Sequence, residues 1–134
     1  MATHPDLDVQ EKIYDTLTGD STLMNLIEDV YDGVPDESDY PYVMIGETEY
    51  SDWSGHDFDG FEAETTIHVW SQYRGRSEAK SIQDEIYRLL QNIDLGISGF
   101  PTIFFKLSFQ RVLPEPDGKT YHGVQRFQFQ IGGN

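Results

Sequence analysis

Residues 76–93, "RSEAKSIQDEIYRLLQNI", limit the possible folds of this chain more than any other stretch. Ala79, Ile82, Ile86, Leu89, Leu90 and Ile93 recur every three or four residues, so a helix gathers them into one apolar stripe. Arg76 or Ser77 begins the helix, and Gly96 lies just beyond it. On both sides the apolar period falls to two, the period of a half-buried strand. A helix with one sticky face between two pairs of strands needs a sheet to lie on.

The first pair is "YVMIGETEYSDW" (42–53) and "FEAETTIHVWSQY" (61–73), joined by "SGHDFDG". In the second of these strands Phe61, Ala63, Ile67 and Val69 fall on one face. Glu62, Glu64, Thr66, His68 and Trp70 fall on the other, so the outer face is polar yet carries a tryptophan. The second pair is "TIFFKLSFQRVL" (102–113) and "HGVQRFQFQI" (122–131). Strict alternation turns Ile103, Phe105, Leu107 and Phe109 inward, and Phe127, Phe129 and Ile131 with them. Arg126, Gln128 and Gln130 then point outward. Ahead of the strands, Leu7, Ile13, Tyr14 and Leu17 predict a helix that Gly19 stops. Asp20 or Ser21 caps a shorter helix carrying Leu23, Leu26 and Ile27. The order is α-α-β-β-α-β-β. It predicts an α+β domain with a four-stranded, mostly antiparallel sheet and helices on its apolar face.

The 134 residues suit one domain spanning 1–134, long enough to bury a core. With no cysteine, disulfides and cysteine-ligated zinc are excluded. No apolar run approaches the roughly 20 residues of a membrane span. The N-terminus has neither a basic leader nor an apolar core, so no signal peptide and a cytoplasmic site of assembly are expected.

Charge is unevenly spread. Residues 1–64 hold 18 acids and one base, Lys12, whereas 65–134 hold 6 acids and 8 bases. Such acidity argues against wrapping nucleic acid, which needs clustered lysine and arginine. It either solubilises the chain or lets an acidic face of one copy meet a more basic face of the next.

No catalytic or metal constellation survives inspection. "HDFDG" (56–60) mimics the middle of a calcium loop, but that register puts Gly55 and Thr66 where acids are required. His4, His56, His68 and His122 show no metal-ligand spacing. There is no nucleophile elbow and no glycine-rich phosphate loop. Gly75 between Arg74 and Arg76 could hold an anion at a helix start or a neighbour's carboxylate. In "PEPDGKTYHGVQRF" (114–127), Asp117-Gly118 signals a turn, and Gly123 a bulge or a close backbone approach. The nine residues from Pro114 to His122 are long for a hairpin loop, which predicts that they touch something.

Four stretches in order carry a resemblance that spans nearly the whole chain. They are "IYDTLTGDSTLMNLI", "VYDGVPDESDYPYVMIGETEYSDW", "HVWSQYRGRSEAKSI" and "PDGKTYHGVQRFQF". The chain resembles the tail-completion, or head-to-tail joining, proteins of long-tailed bacteriophages and gene-transfer agents. The long helix is less alanine-rich, and the last strand poorer in arginine, than is usual there. The resemblance implies a structural virion protein without enzymatic activity or cofactor. Such proteins form a ring, usually hexameric, at the head-proximal end of the tail tube. Implied partners are further copies, the tube protein and the head connector, with DNA only as cargo in the lumen and no membrane. Arg74, Arg76, Trp70, Lys119, Tyr121, His122 and Arg126 are the candidate contact residues, and Trp53 is a further aromatic candidate. Asp36, Glu37, Asp39, Asp57 and Asp59 are candidates for an acidic lumen or a neighbour contact. The alternative is a monomeric acidic α+β binding domain, or a small enzyme using a carboxylate pair.

Overall fold

The computed structural model describes residues 4–35, 38–56 and 59–133. Its elements are α1 (Asp6–Thr18), α2 (Ser21–Met24), β1 (Val30–Tyr31), β2 (Tyr42–Asp52), β3 (Asp59–Ser71), α3 (Ser77–Leu90), β4 (Thr102–Pro114) and β5 (Tyr121–Gly133). The sheet has five strands in the order β1-β2-β3-β5-β4, one more than the sequence pattern predicts. The extra strand is two residues long and parallel to β2, pairing Val30 with Val43 and Tyr31 with Met44. Two residues cannot display a period, so only the partner strand reveals them. All other neighbours are antiparallel.

One face of the sheet is the floor of the core. From α3, Ala79, Ile82, Ile86 and Leu90 are buried against Ile67, Val69, Phe105, Phe127, Phe129 and Ile131. Burying each large aliphatic side chain stabilises the fold by about 1.5–3 kcal/mol. The helix ends at Leu90, before Ile93, which packs on the core from the following turn. On α1 the buried stripe is Val9, Ile13 and Leu17, while Leu7 and Tyr14 are exposed. Positions four apart keep the stripe on one side, and Leu7 is out of phase with it. The Asp20 carboxylate caps α2 by accepting from the Leu23 N–H at 2.9 Å. That helix stops at Met24, so Leu26 is exposed while Ile27 is buried from the turn beyond.

Several polar groups inside the core have partners, although the Gln83 and Gln125 side-chain oxygens are buried without one. The Thr48 and Thr65 hydroxyls meet at 2.9 Å. The Gln125 amide donates to the Gln83 backbone carbonyl at 3.0 Å, and the Gln83 amide to the Arg111 carbonyl at 3.2 Å. A Cβ on Gly123 would sit 2.7 Å from the Gln83 amide nitrogen. The glycine therefore marks a close approach between β5 and α3, the second of the two expected alternatives.

β4 departs from strict alternation. Its pairing with β5 shifts between Ile103 and Lys106, and again between Leu107 and Phe109. Each bulge adds a residue and inverts the face. Phe105 is buried and Leu107 packs on the core as expected, but Ile103 and Phe109 are exposed and Val112 is buried instead. The loop to β5 spans only 115–120, because the strands run up to Pro114 and from Tyr121. Asp117 organises it, accepting from the Lys119 and Thr120 N–H groups and the Thr120 hydroxyl. Three donors on one carboxylate hold its pKa below the usual value.

Candidate functional site

With α1 and α3 packed on one side, the other face of the sheet presents its side chains outward. At the end near β1 this face is aromatic. The Trp70 indole stacks on the His122 ring, centroids 3.8 Å apart and planes 5° from parallel. Tyr42 lies beyond Trp70, with Tyr31 and Tyr40 against Tyr42. The register explains the stack, since Tyr42, Trp70 and His122 face one another across β2, β3 and β5.

The two histidines also meet there. His68 Nδ1 lies 2.7 Å from His122 Nε2, and His122 Nδ1 lies 3.2 Å from Glu115 Oε1. A carboxylate only accepts, so His122 Nδ1–H donates a hydrogen bond to Glu115. His122 Nε2 then accepts from His68 Nδ1–H, and both rings are neutral. Burial depresses both pKa values, and His68 adds repulsion at His122. The carboxylates of Glu47 and Glu115 oppose this, while Arg126 and Arg111 reinforce it. The chain of three groups ties loop 115–120 to the sheet and can change charge in mild acid.

Further along, the outer face becomes an open groove of about 530 Å³. Glu49, Glu62 and Glu64 line one side, Phe104 and Lys106 the other, and Gln128 and Gln130 the floor. Among the described residues no group of three or more histidine and acidic side chains could hold a metal ion, and no helix is long and apolar enough to cross a membrane.

The residues singled out by sequence separate into distinct places. Trp70, His122 and Arg126 lie on the outer face. Tyr121 points the other way and packs against the core, with the Arg76 guanidinium 5.6 Å above its ring. Arg76 also donates to the Val112 carbonyl at 3.4 Å. Arg74 is exposed in the turn before α3, and Lys119 at the tip of loop 115–120. Trp53 is half-buried after β2, its N–H donating to the Gly60 carbonyl at 2.8 Å. Asp39 lies in the segment leading to β2, on a hollow shared with Glu28, Tyr40, Tyr73 and Glu78. Asp59 is the exposed first residue of β3. Asp36, Glu37 and Asp57 lie outside the described residues.

The residues missed by sequence are Glu115, in the loop, and a group on β4. Ile103, Phe104, Phe109 and Leu113 are all exposed large apolar side chains. Phe104 is 67% exposed and has φ +55°, in the left-handed region that costs a residue with a Cβ about 1–2 kcal/mol. A signal was available in "TIFFK": two adjacent phenylalanines on a strand cannot both face inward.

The comparisons with known proteins agree along the chain. The family model described as Tail completion protein gp17 matches residues 11–132. The curated tail completion protein gp17 of Bacillus phage SPP1 is 27% identical over 126 residues, spanning 94% of this chain and 93% of that protein. Among solved structures, a chain in the virion of a native gene transfer agent particle superposes with a TM-score of 0.83 at 22% identity. That alignment covers 90% of this chain and 92% of the other. The structure of bacteriophage SPP1 gp17 gives 0.61 at 24% identity, covering 93% and 88%. At these identities the two structures establish a shared fold.

Proposed function

The chain belongs to the tail completion protein gp17 family, and from that premise we propose that it closes the head-proximal end of a tail tube as a ring of copies. As a member of that family it is a structural tail protein of a virion rather than an enzyme. In this reading six copies encircle the lumen, end polymerisation of the tube and offer the head connector a docking surface. DNA passes through the ring as cargo.

The observation that carries the reading is the outer sheet face. It combines a stacked aromatic cluster, exposed apolar side chains on β4 and charges of both signs. A face so composed suits contact with other protein surfaces. The histidine–glutamate chain supports the same reading, because its geometry fixes a loop.

The test combines imaging with assembly. Purified protein, alone and with tails made without it, is examined by negative-stain microscopy and sedimentation. A six-fold ring, alone or on tube ends, together with tails that become competent to join heads, is the expected result. A strict monomer that binds neither tails nor connectors would refute it and favour a monomeric binding domain.

A further inference from the structure

Opposite edges of the sheet differ in charge and in surface. Residues 28–52, which lead into and form β1 and β2, carry nine carboxylates and no lysine or arginine. Residues 102–133, which form β4 and β5, carry four bases and two acids. The acidic edge also bears Tyr31 and Tyr40 beside the exposed Asp32 and Asp39. At the other edge, the guanidiniums of Arg126 and Arg111 lie 4.8 and 5.6 Å from the Phe109 ring. β4 and the adjoining β5 therefore present a patch that is apolar and cationic together.

The backbone of β4 cannot readily add another strand. Asn92 N–H donates to the Phe105 carbonyl at 2.8 Å, and the Leu107 N–H to the Gln91 side chain at 2.9 Å. These bonds from the segment after α3 blunt the edge. Around Phe105 and Leu107, contact is therefore left to side chains. Phe104 is held outward in a strained backbone conformation, the kind of outlier that collects at functional positions.

We infer that the outward side chains of β4, with Arg126 of the adjoining β5, seat on the acidic, tyrosine-bearing β1–β2 edge of a second copy of this chain. Arg111 and Arg126 meet carboxylates such as Asp32 and Asp39, and Phe104 and Phe109 meet Tyr31 and Tyr40. Aromatic rings and carboxylates are the surfaces that a guanidinium over an apolar patch suits best. Two different patches on opposite edges make a heterologous contact, which closes into a ring when the rotation between copies is right. The inference rests on the ring reading and assigns the surfaces that would build it.

Sedimentation of three variants tests it. The first, Phe109→Glu with Arg126→Glu, spoils the β4 side, and the second, Asp32→Lys with Asp39→Lys, spoils the opposite edge. Each alone should be monomeric, its association weakened on the order of 100-fold or more. Mixed in equal amounts they should associate into mixed dimers or larger species, because each retains one intact surface and the two altered surfaces carry opposite charge. The third, Phe104→Gly, should weaken association while melting near the wild-type temperature, since glycine suits the left-handed backbone. Rings from either double variant, or a mixture that stays monomeric while wild type forms rings, would overturn the surfaces assigned and leave the ring reading standing. Wild type that forms no ring even on tails would remove both.

Discussion

At the residue scale, the pairing of His68 with His122 has a consequence in solution. The folded pKa of each lies below the ordinary value of 6.5, chiefly because burial disfavours the charged ring, with repulsion from His68 added at His122 and from Arg126 at His68. The unfolded chain therefore binds more protons than the folded chain in mild acid. Stability should be fully present above about pH 6.5 and fall as the pH drops toward the depressed folded values. Urea midpoints measured between pH 7.5 and 5 should show this decline, and His122→Gln should flatten it. An equal slope in the variant would place the titration elsewhere. Neither histidine is informative alone in the sequence, since 54 positions separate them. Their meeting depends on the β3–β5 register, which places Trp70 opposite His122.

At the scale of elements, α3 shows how much a strong period can tell. Its stripe names Ala79, Ile82, Ile86 and Leu90, and all four are fully buried. Truncating one should leave a cavity that the sheet beneath cannot fill. Ile86→Ala is expected to destabilise by about 2–5 kcal/mol, read from urea or thermal unfolding. A cost below about 1 kcal/mol would mean that α3 is not the main lid of the core. β4 shows the limit of the same logic. Its alternation is visible in the sequence, but two bulges invert it, because a single unpaired residue exchanges the faces of everything beyond it. β1 lies below any periodic signal. Its two residues are strand because β2 is beside them.

For the molecule as a whole, the excess of carboxylates acquires a direction. If the acidic loops line the lumen of the proposed ring, like charge keeps passing DNA from sticking. Reversing Asp59 to lysine should then slow ejection or leave DNA bound to the tail, as seen in ejection assays on assembled particles. Unchanged ejection and infectivity would remove the lumen role of Asp59. The sequence by itself determined the α+β class, the helix that covers the core, the asymmetry of charge and the family resemblance. Each is a local period, a sum or an ordered motif, and none requires knowing which residues touch. Tertiary structure alone decided the fifth strand, the outward turn of Ile103 and Phe109, the strained Phe104 and the Glu115–His122–His68 chain. Each depends on register between strands, which long-range pairing sets and which no window of neighbouring residues contains.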